Sequence, residues 1–280
     1  VQFGEGGAGT FSDGKLNTGV NNPRIHWILE QFVAAGAGED ILYDAKPHVG
    51  TDVLLTVVQN LRRRIIALGG EVRFRTQVAD IEQEDGRLTA LLTENGERIE
   101  CGSVILAIGH SARDTFQMLE RRRIPMEPKP FSMGVRIEHK QSAVNAAQYG
   151  ADSPVLPPAD YKLVRHLEKG TVYTFCMCPG GYVVAAASEP GGVVTNGMSY
   201  ASRAGENANA ALLVTLNPEV FPYPGPLGGM RWQREIEQRA YDLSGSYLAP
   251  AQRVGDFLKG VPSTSAGDVE PTYRPGVTYT

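Results

Sequence analysis

The sequence has no apolar stretch near 18 residues and only three cysteines among its 280 residues. Without such a stretch we predict no membrane-spanning helix, and the sequence carries no signal-peptide pattern. So few cysteines argue against a secreted disulfide scaffold and fit a reducing compartment. We therefore expect a cytoplasmic globular protein with no membrane partner.

The chain also has no excess of positive charge, since 27 Lys and Arg face 31 Asp and Glu. A net charge of −4 offers no general attraction for nucleic acid, and no basic, aromatic-studded face is evident. The length suits one large or two ordinary domains. The sequence opens without Met and ends abruptly at Thr280, so we expect it to be a piece of a longer chain.

Glycine is abundant at the start, where FGEGGAGTFSDGK spans residues 3–15. Gly4–Gly9 matches G-x-G-x-x-G, but that fingerprint needs a preceding strand and a helix opening at its last glycine, and neither fits here. The run Gly9–Lys15 matches G-x-x-x-x-G-K, but Leu16 stands where a magnesium-binding Ser or Thr belongs. Two interpretations stay open: a loop that approaches a phosphate or cofactor, and an ordinary glycine-rich connection.

The region after Pro47 has a clear order of elements. Apolar residues recur at helical spacing over 51–68, and Gly69-Gly70 ends that helix. A short strand over 71–75 and an antiparallel meander over 78–101 follow, because Asp85-Gly86 and Asn95-Gly96 are tight-turn dipeptides. The apolar run 104–109 is typical of a strand buried on both faces, and a helix over 112–122 follows it.

Helices between such strands predict an α/β fold, a three-layer domain in which a covered, mostly parallel sheet carries an inserted antiparallel meander. After Pro125 the pattern changes to strands in series, at 131–139, 161–166, 171–177, 182–188 and 211–216, with a helix at 229–243. Pro179-Gly180-Gly181 predicts a hairpin between the third and fourth of these. We therefore predict an α+β domain over 126–262, inserted between residues 1–125 and a return segment over 263–280.

Several stretches together carry a resemblance to a known family. They are, in chain order, FGEGGAGTFSDGKLNTG, KPHVGTD, AIGHSARDTFQML, GVRIEH, YKL, FCMCPGGYVVAAASE, NGMSY and APAQRVGDFL. The chain resembles a bacterial family of uncharacterised FAD-dependent dehydrogenases, within the two-dinucleotide-binding flavoprotein superfamily. The N-terminal G-x-G-x-x-G unit and the C-terminal flavin segment of that superfamily are absent from this sequence.

The resemblance implies a partial FAD-binding domain with FAD as the cofactor. It places the glycine-rich loop along the flavin cleft, where Lys15 adds positive charge that favours an anionic reduced flavin. It places the adenine against the backbone at Gln77 and Val78. The strand end at Ala107-Ile108-Gly109 resembles the cofactor-proximal strand end of the superfamily. The implied cofactor-binding residues are thus Gly6, Gly7, Ala8, Gly9, Thr10, Ser12, Lys15, Gln77, Val78, Gly109 and His110.

His110 is the candidate for acid–base chemistry, because it directly follows the cofactor-proximal Gly109 and a neutral imidazole can relay a proton. A histidine that only braces the loop is the alternative. We predict no metal site. Arg113, in the first turn of the next helix, suggests either an anionic partner or a surface salt bridge.

Candidate substrate-binding residues lie in the second region. Arg136 and Glu138 share one face of a strand, as an acidic-substrate site or a plain ion pair, and His139 follows them. Asn196, Ser199, Arg203, Asn207 and Asn209 form a polar tract that either lines a pocket or forms a turn-rich loop. The tentative substrate residues are therefore Arg136, His139, Asn196 and Arg203.

Cys176 and Cys178 are separated by one residue and point to the same face if the strand is regular. A redox dithiol is one interpretation, and buried inert thiols are the other, because same-strand neighbours rarely meet disulfide geometry.

The sequence thus predicts an FAD-dependent oxidoreductase that transfers a hydride through flavin, with an unknown small-molecule substrate and NAD(P)H as a possible electron donor. A flavin-binding scaffold or redox-responsive protein without turnover is the alternative, and a tRNA-modifying flavoprotein is a third.

Overall fold

A computed structural model describes residues 5, 14–16, 20–150, 155–168 and 170–280. Contacts divide the chain into two compact units. The sheet unit comprises residues 1–70, 132–216 and 235–280, and the meander unit comprises residues 71–131 and 217–234. The domain boundaries predicted from sequence follow a different criterion and stay a prediction.

The meander unit contains an antiparallel sheet in the order β1-β2-β3, with α3 contacting β1. The first residues of α5 also belong to it. Its elements are β1 (Val78–Glu84), β2 (Arg87–Thr93), β3 (Arg98–Glu100), α3 (Arg113–Arg121) and the start of α5 (Gly228–Asp242). The predicted meander over 78–101 and the helix over 112–122 are therefore confirmed.

The sheet unit contains a four-stranded sheet in the order β4-β9-β6-β5, a two-stranded antiparallel sheet β7-β8, and a two-stranded parallel sheet β10-β11. Its helices are α1 (Arg24–Ala34), α2 (Thr51–Ala67), α4 (Gln141–Tyr149) and α6 (Val254–Lys259). Its strands are β4 (Phe131–Lys140), β5 (Val164–Leu167), β6 (Gly170–Cys178), β7 (Tyr182–Ala185), β8 (Thr195–Met198), β9 (Asn207–Leu216), β10 (Ala249–Ala251) and β11 (Val277–Tyr279).

Two of the three apolar clusters in this unit pack against its helices α2 and α4. Ile41, Val49, Leu54 and Val57 bury the inner face of α2 against the segment after α1. On one face of the four-stranded sheet, Val144, Ala159, Met177, Ala208 and Ala210 form the second cluster beneath α4. Burial of these side chains is the main favourable term in forming the sheet.

Most predicted elements are confirmed, since helices α2 and α5 and strands β4, β6, β7 and β9 overlap their predicted spans. Gly69 ends α2 with φ +87°, as its glycine pair predicted. The fold class, mixed α/β with antiparallel sheets, is also confirmed. Among the described residues, no helix combines the length and apolar character needed to cross a membrane.

Three predictions are wrong. Residues 71–75 are not a strand, and Arg73 there forms ion pairs with Glu71 and Glu97. Residues 104–109 are also not a strand, and Ile105 is 94% exposed. A strand buried on both faces needs neighbouring strands, and no described residue pairs with this run. The hairpin at 179–181 is wrong because β6 pairs with β5 and β9, whereas β7 pairs with β8.

The β4–β9 pairing depends on a glycine. A Cβ added to Gly134 would lie 2.9 Å from the carbonyl carbon of Leu212 and closer still to its oxygen. We expect Gly134→Ala to lower the free energy of unfolding by about 1–3 kcal/mol, the usual cost of overpacking. Urea denaturation measures this, with Gly255→Ala as the control because its Cβ would meet nothing within 4 Å. Equal stability of the two variants would contradict the assigned β4–β9 approach.

Candidate functional site

One face of the four-stranded sheet carries polar side chains at one end and apolar side chains at the other. At the polar end, Arg136 and Glu138 of β4 hydrogen-bond Asn209 and Asn207 of β9, respectively, so all four side chains share a face. Cys178 of β6 is the direct cross-strand partner of Asn209. We call this set of five residues the polar end.

A β-bulge in β6 determines which residue reaches the polar end. Phe175 pairs with Ala211, and Cys178 pairs with Asn209, so three steps on β6 oppose two on β9. Cys176 is the irregular residue, with φ +45°. The extra residue changes the alternation, and Cys178 therefore faces the polar end while Met177 enters the apolar cluster beneath α4.

Two amides hold the Arg136 guanidinium. Its Nη1 donates to Asn209 Oδ1 at 2.9 Å, and its Nη2 donates to Asn196 Oδ1 at 3.3 Å. A Cβ added to Gly197 would lie 2.5 Å from Arg136 Nη1 and 3.0 Å from Cys178 Sγ, so β8 approaches this group closely. The structure thus brings Arg136 and Asn196, two predicted substrate residues, into direct contact.

Lys15 joins the polar end from the segment after the glycine-rich loop. Its Nζ donates to the Met177 carbonyl and lies 3.9 Å from Cys178 Sγ. Its backbone forms an antiparallel bridge with His48, supported by the bond from Leu16 N–H to Pro47 C=O. The end of this segment is therefore attached to the sheet.

His48 is a residue that the sequence analysis did not assign to the site. Its Nε2 lies 3.3 Å from the hydroxyl oxygen of Ser199, which is fully buried. Two hydrogen bonds join the backbone after His48 to the backbone around Ser199. Thr51 N–H donates to Ser199 C=O, and Ala201 N–H donates to Asp52. The stretch KPHVGTD, already part of the family resemblance, was the available signal for it.

Glu138 is held by donors from β9 and from the segment before β11. Its carboxylate accepts hydrogen bonds from Asn207 Nδ2 at 3.0 Å and from the backbone N–H and hydroxyl of Thr272. These bonds attach the segment before β11 to the sheet.

The apolar end of the same face continues along the strands. Tyr173 pairs with Leu213 on one side and Val164 on the other, and its ring lies edge-on to Phe175 with centroids 6.5 Å apart. Phe175 is 56% exposed and Val164 is 51% exposed. The Tyr173 hydroxyl bonds Ser132 Oγ at 2.6 Å. We call Val164, Tyr173, Phe175 and Leu213 the apolar end.

His139 and Arg203, the other predicted substrate residues, do not join the polar end in any contact described. His139 Nε2 lies 2.8 Å from the Tyr161 hydroxyl, and Tyr161 packs against the cluster beneath α4. Burial lowers the pKa of His139 and raises the pKa of Tyr161. Arg203 has φ +49°, and its buried Nε has no hydrogen-bond partner within the part of the chain that the structure describes.

The meander unit holds the residues predicted to bind adenine. Gln77 and Val78 line a cleft of about 160 Å³, smaller than the usual whole-ligand pocket. Gln77 Nε2 donates to Asp114 at 2.7 Å, and Glu94 N–H donates to the Gln77 carbonyl. The other residues that line the cleft are Ala79, Glu94, Asp114, Gln117 and Arg121.

His110 and Gly109 also belong to the meander unit. Both are exposed, and Gly109 has φ +69° with open space where a Cβ would lie. His110 Nε2 lies 3.4 Å from Ser111 Oγ. The catalytic role of His110 stays a prediction. Arg113 is buried rather than on the surface.

The predicted cofactor residues Gly6, Gly7, Ala8, Gly9, Thr10 and Ser12 lie outside the described residues. Lys15 belongs to the sheet unit, whereas Gln77, Val78, Gly109 and His110 belong to the meander unit. None of the three cysteines, Cys101, Cys176 and Cys178, forms a disulfide. In the described ranges, no three His, Cys, Asp or Glu side chains gather as metal ligands would.

Comparison with known proteins gives two family matches. The family described as FAD-dependent protein, C-terminal domain-like, matches residues 130–280, and the family described as FAD dependent oxidoreductase matches residues 55–191. A protein of Clostridium beijerinckii is 50% identical over 284 aligned residues, covering all of this chain and 53% of that protein. The chain thus spans about half the length of this relative.

A search of solved structures finds BrvH, a flavin-dependent halogenase from Brevundimonas sp. BAL3. It is 13% identical, the match covers 70% of this chain and 34% of BrvH, and the TM-score is 0.27. A likeness at this TM-score carries no argument about fold or function.

The buried His139 predicts a pH-dependent term in stability. Because folding lowers its pKa from 6.5, the unfolded chain binds this proton first as the pH falls. The stability that comes from keeping His139 neutral is fully present above about pH 6.5 and is lost as the pH falls below that value. The loss is about 1.4 kcal/mol for each unit by which the folded pKa lies below the unfolded pKa. We expect His139→Gln to reduce the stability loss between pH 7.5 and pH 5, measured by urea denaturation.

His166, an exposed histidine bonded to Thr171, offers the matched control for this measurement. His166→Gln should keep the pH dependence of the original protein. An unchanged pH dependence in His139→Gln would show that burial of His139 does not contribute.

Proposed function

Because the chain belongs to the family of FAD-dependent proteins whose C-terminal domain it matches, we propose that it transfers a hydride between a small-molecule substrate and FAD. The match to FAD-dependent oxidoreductases over residues 55–191 supports redox chemistry. FAD is the family's cofactor and supplies the redox chemistry when bound. The reaction, the substrate and the electron donor are parts of this proposal.

The described residues fit such a cofactor at more than one place. The Gln77–Val78 cleft is polar and holds only part of a dinucleotide, as an adenine site would require. Gly109 leaves open space where a side chain would otherwise stand, so a flat group is able to approach the backbone there. In the sheet unit, Lys15 supplies a cation next to the glycine-rich segment.

The contact of Lys15 with the end of β6 carries the proposal. Lys15 is the last residue of the segment that the family resemblance places along the flavin cleft. Its ammonium group contacts the Met177 carbonyl. The polar end lies beside this contact, and its Arg136 is bonded to Asn196. Lys15 and the candidate substrate residues thus belong to one compact unit.

The chain's own residues would bind and orient the substrate. Arg136, fixed by two amides, is placed to hold a polar group, and the apolar end offers surface to the rest of the molecule. His48 and Ser199 provide a hydroxyl–imidazole pair next to Lys15. His110 stays the candidate in the meander unit.

The first test is the visible spectrum of the purified protein and the identity of any flavin released on denaturation. We expect a flavin spectrum, released FAD, and bleaching on anaerobic addition of NADH, NADPH or a small organic donor. Bound FAD that no donor reduces would favour a flavin-binding scaffold, and salt-sensitive tRNA binding would favour RNA modification. A colourless protein that takes up no added FAD would overturn the proposal.

A substitution at Lys15 tests the charge beside the flavin. We expect Lys15→Met to lower the two-electron midpoint potential of bound FAD, because a nearby cation stabilises the anionic reduced form. A loss of about 1.4 kcal/mol corresponds to about 30 mV, and dye-linked reduction measures the shift. Lys129→Met, an exposed lysine of the meander unit, is the control. Equal midpoint potentials in the two variants would show that Lys15 does not lie beside the flavin.

A further inference from the structure

We infer that Arg203 binds an oxyanion, a carboxylate or a phosphate group, of the small molecule that exchanges a hydride with FAD. This inference rests on the proposed function, since it names a chemical group of that molecule and the residue that binds it. Three observations support it: a guanidinium that no described residue bonds, a strained backbone held in place, and acidic neighbours that are bonded elsewhere.

The guanidinium of Arg203 makes no hydrogen bond or ion pair with any residue that the structure describes, although its Nε is buried. An arginine side chain has five N–H donors and keeps its positive charge in proteins. A buried donor without an acceptor loses its hydration and gains nothing in return, so it calls for an explanation. The side chain as a whole is only half-buried, so a ligand reaches its outer nitrogens from solvent.

The backbone of Arg203 is held in an unfavourable conformation. Its φ of +49° lies in the left-handed region, which few residues other than glycine adopt. A Cβ added to Gly180 would overlap the Arg203 carbonyl oxygen, and Gly205 N–H donates to the Gly180 carbonyl at 3.0 Å. The bond from Arg203 N–H to the Tyr200 carbonyl, also at 3.0 Å, closes the turn. Such strained positions persist where the surrounding structure fixes them, and they cluster at ligand sites.

The acidic side chains next to this turn are bonded to other donors. Asp52 accepts a hydrogen bond from the Ala201 N–H at 3.0 Å, and Glu206 is paired with Lys140. The positive charge of Arg203 is therefore available to a bound anion. Because the guanidinium fork matches two oxygens of one group, carboxylates and phosphates are the anions that it suits.

The position of Arg203 in the fold connects it with the candidate flavin segment. Its backbone touches Gly180, which follows Cys178 by two residues. Lys15 Nζ lies 3.9 Å from Cys178 Sγ. An oxyanion bound by Arg203 would thus be held near the same end of β6 as Lys15.

Inorganic phosphate and acetate are the two probes, and isothermal titration calorimetry at low ionic strength measures their dissociation constants on the protein as purified. We expect at least one of them to bind. Tighter binding of phosphate would indicate a phosphate-bearing donor such as a nicotinamide nucleotide, and tighter binding of acetate would indicate an organic acid. Binding of neither anion would overturn the inference.

The variant Arg203→Asn assigns the binding to the guanidinium. Asn tolerates a positive φ, so the turn is retained, and we expect binding to weaken by about 10- to 100-fold, the range for a lost charge-assisted hydrogen bond. Arg123→Asn is the matched control and should leave binding unchanged, because Arg123 is exposed and has φ +57°. Arg203→Lys keeps the charge without the fork and should give an intermediate affinity.

Urea denaturation of Arg203→Asn separates binding from a structural role. We expect its midpoint to equal or exceed that of the original protein, because the substitution removes a strained residue and a buried donor that nothing in the described chain accepts. A lower midpoint with unchanged anion binding would show a structural arginine and overturn the inference. Loss of FAD from this variant would assign Arg203 to the cofactor and also overturn it.

These outcomes are separable from the proposed function. Protein that holds reducible FAD but binds neither anion through Arg203 keeps the oxidoreductase proposal and loses the anion site. Protein without FAD that still binds phosphate or acetate through Arg203 keeps the anion site and loses the flavin chemistry.

Discussion

The bulge at Cys176 is the constraint on which the candidate site depends. Strand β6 lies between β9 and β5, so its alternation decides which side chains reach each face of the sheet. With one extra residue, Met177 packs beneath α4 and Cys178 pairs with Asn209. A regular strand would exchange these two side chains, placing a thioether beside Arg136 and a thiol in the apolar cluster. The same backbone irregularity therefore serves both the core and the site.

The polar end also depends on close backbone approaches from distant segments. Gly50 has φ +86°, and a Cβ there would lie 2.5 Å from the backbone nitrogen of Ala201. That approach lets Thr51 N–H reach the Ser199 carbonyl, which places Ser199 against His48. Because His48 is bridged to Lys15, one glycine links three separate stretches of chain to the end of the sheet.

The sequence patterns correctly predicted the elements that depend on residues close together in the chain. The helical spacing in 51–68 and the turn dipeptides around the meander correspond to α2 and to β1–β3. The run 104–109 was mistaken for a strand because apolar composition does not supply the neighbours that a buried strand needs. Similarly, a turn at Gly180 says nothing about which sheet the next strand joins. Arg136 and Asn196 were predicted as substrate residues and are in contact, whereas His48 became visible only through pairing with residues far along the chain.

Stability alone gives no reason for the composition of the polar end. Asn209 lies fully buried opposite Cys178, and none of the described residues accepts a hydrogen bond from its Nδ2. Apolar residues of similar size at such positions are often neutral or stabilising, because they avoid the desolvation of polar groups. The opposite face of the same sheet carries such apolar residues, since Ala208 and Ala210 pack under α4. The two faces of one sheet therefore differ in chemistry, with polar side chains around Arg136 on one face and a packed apolar cluster on the other.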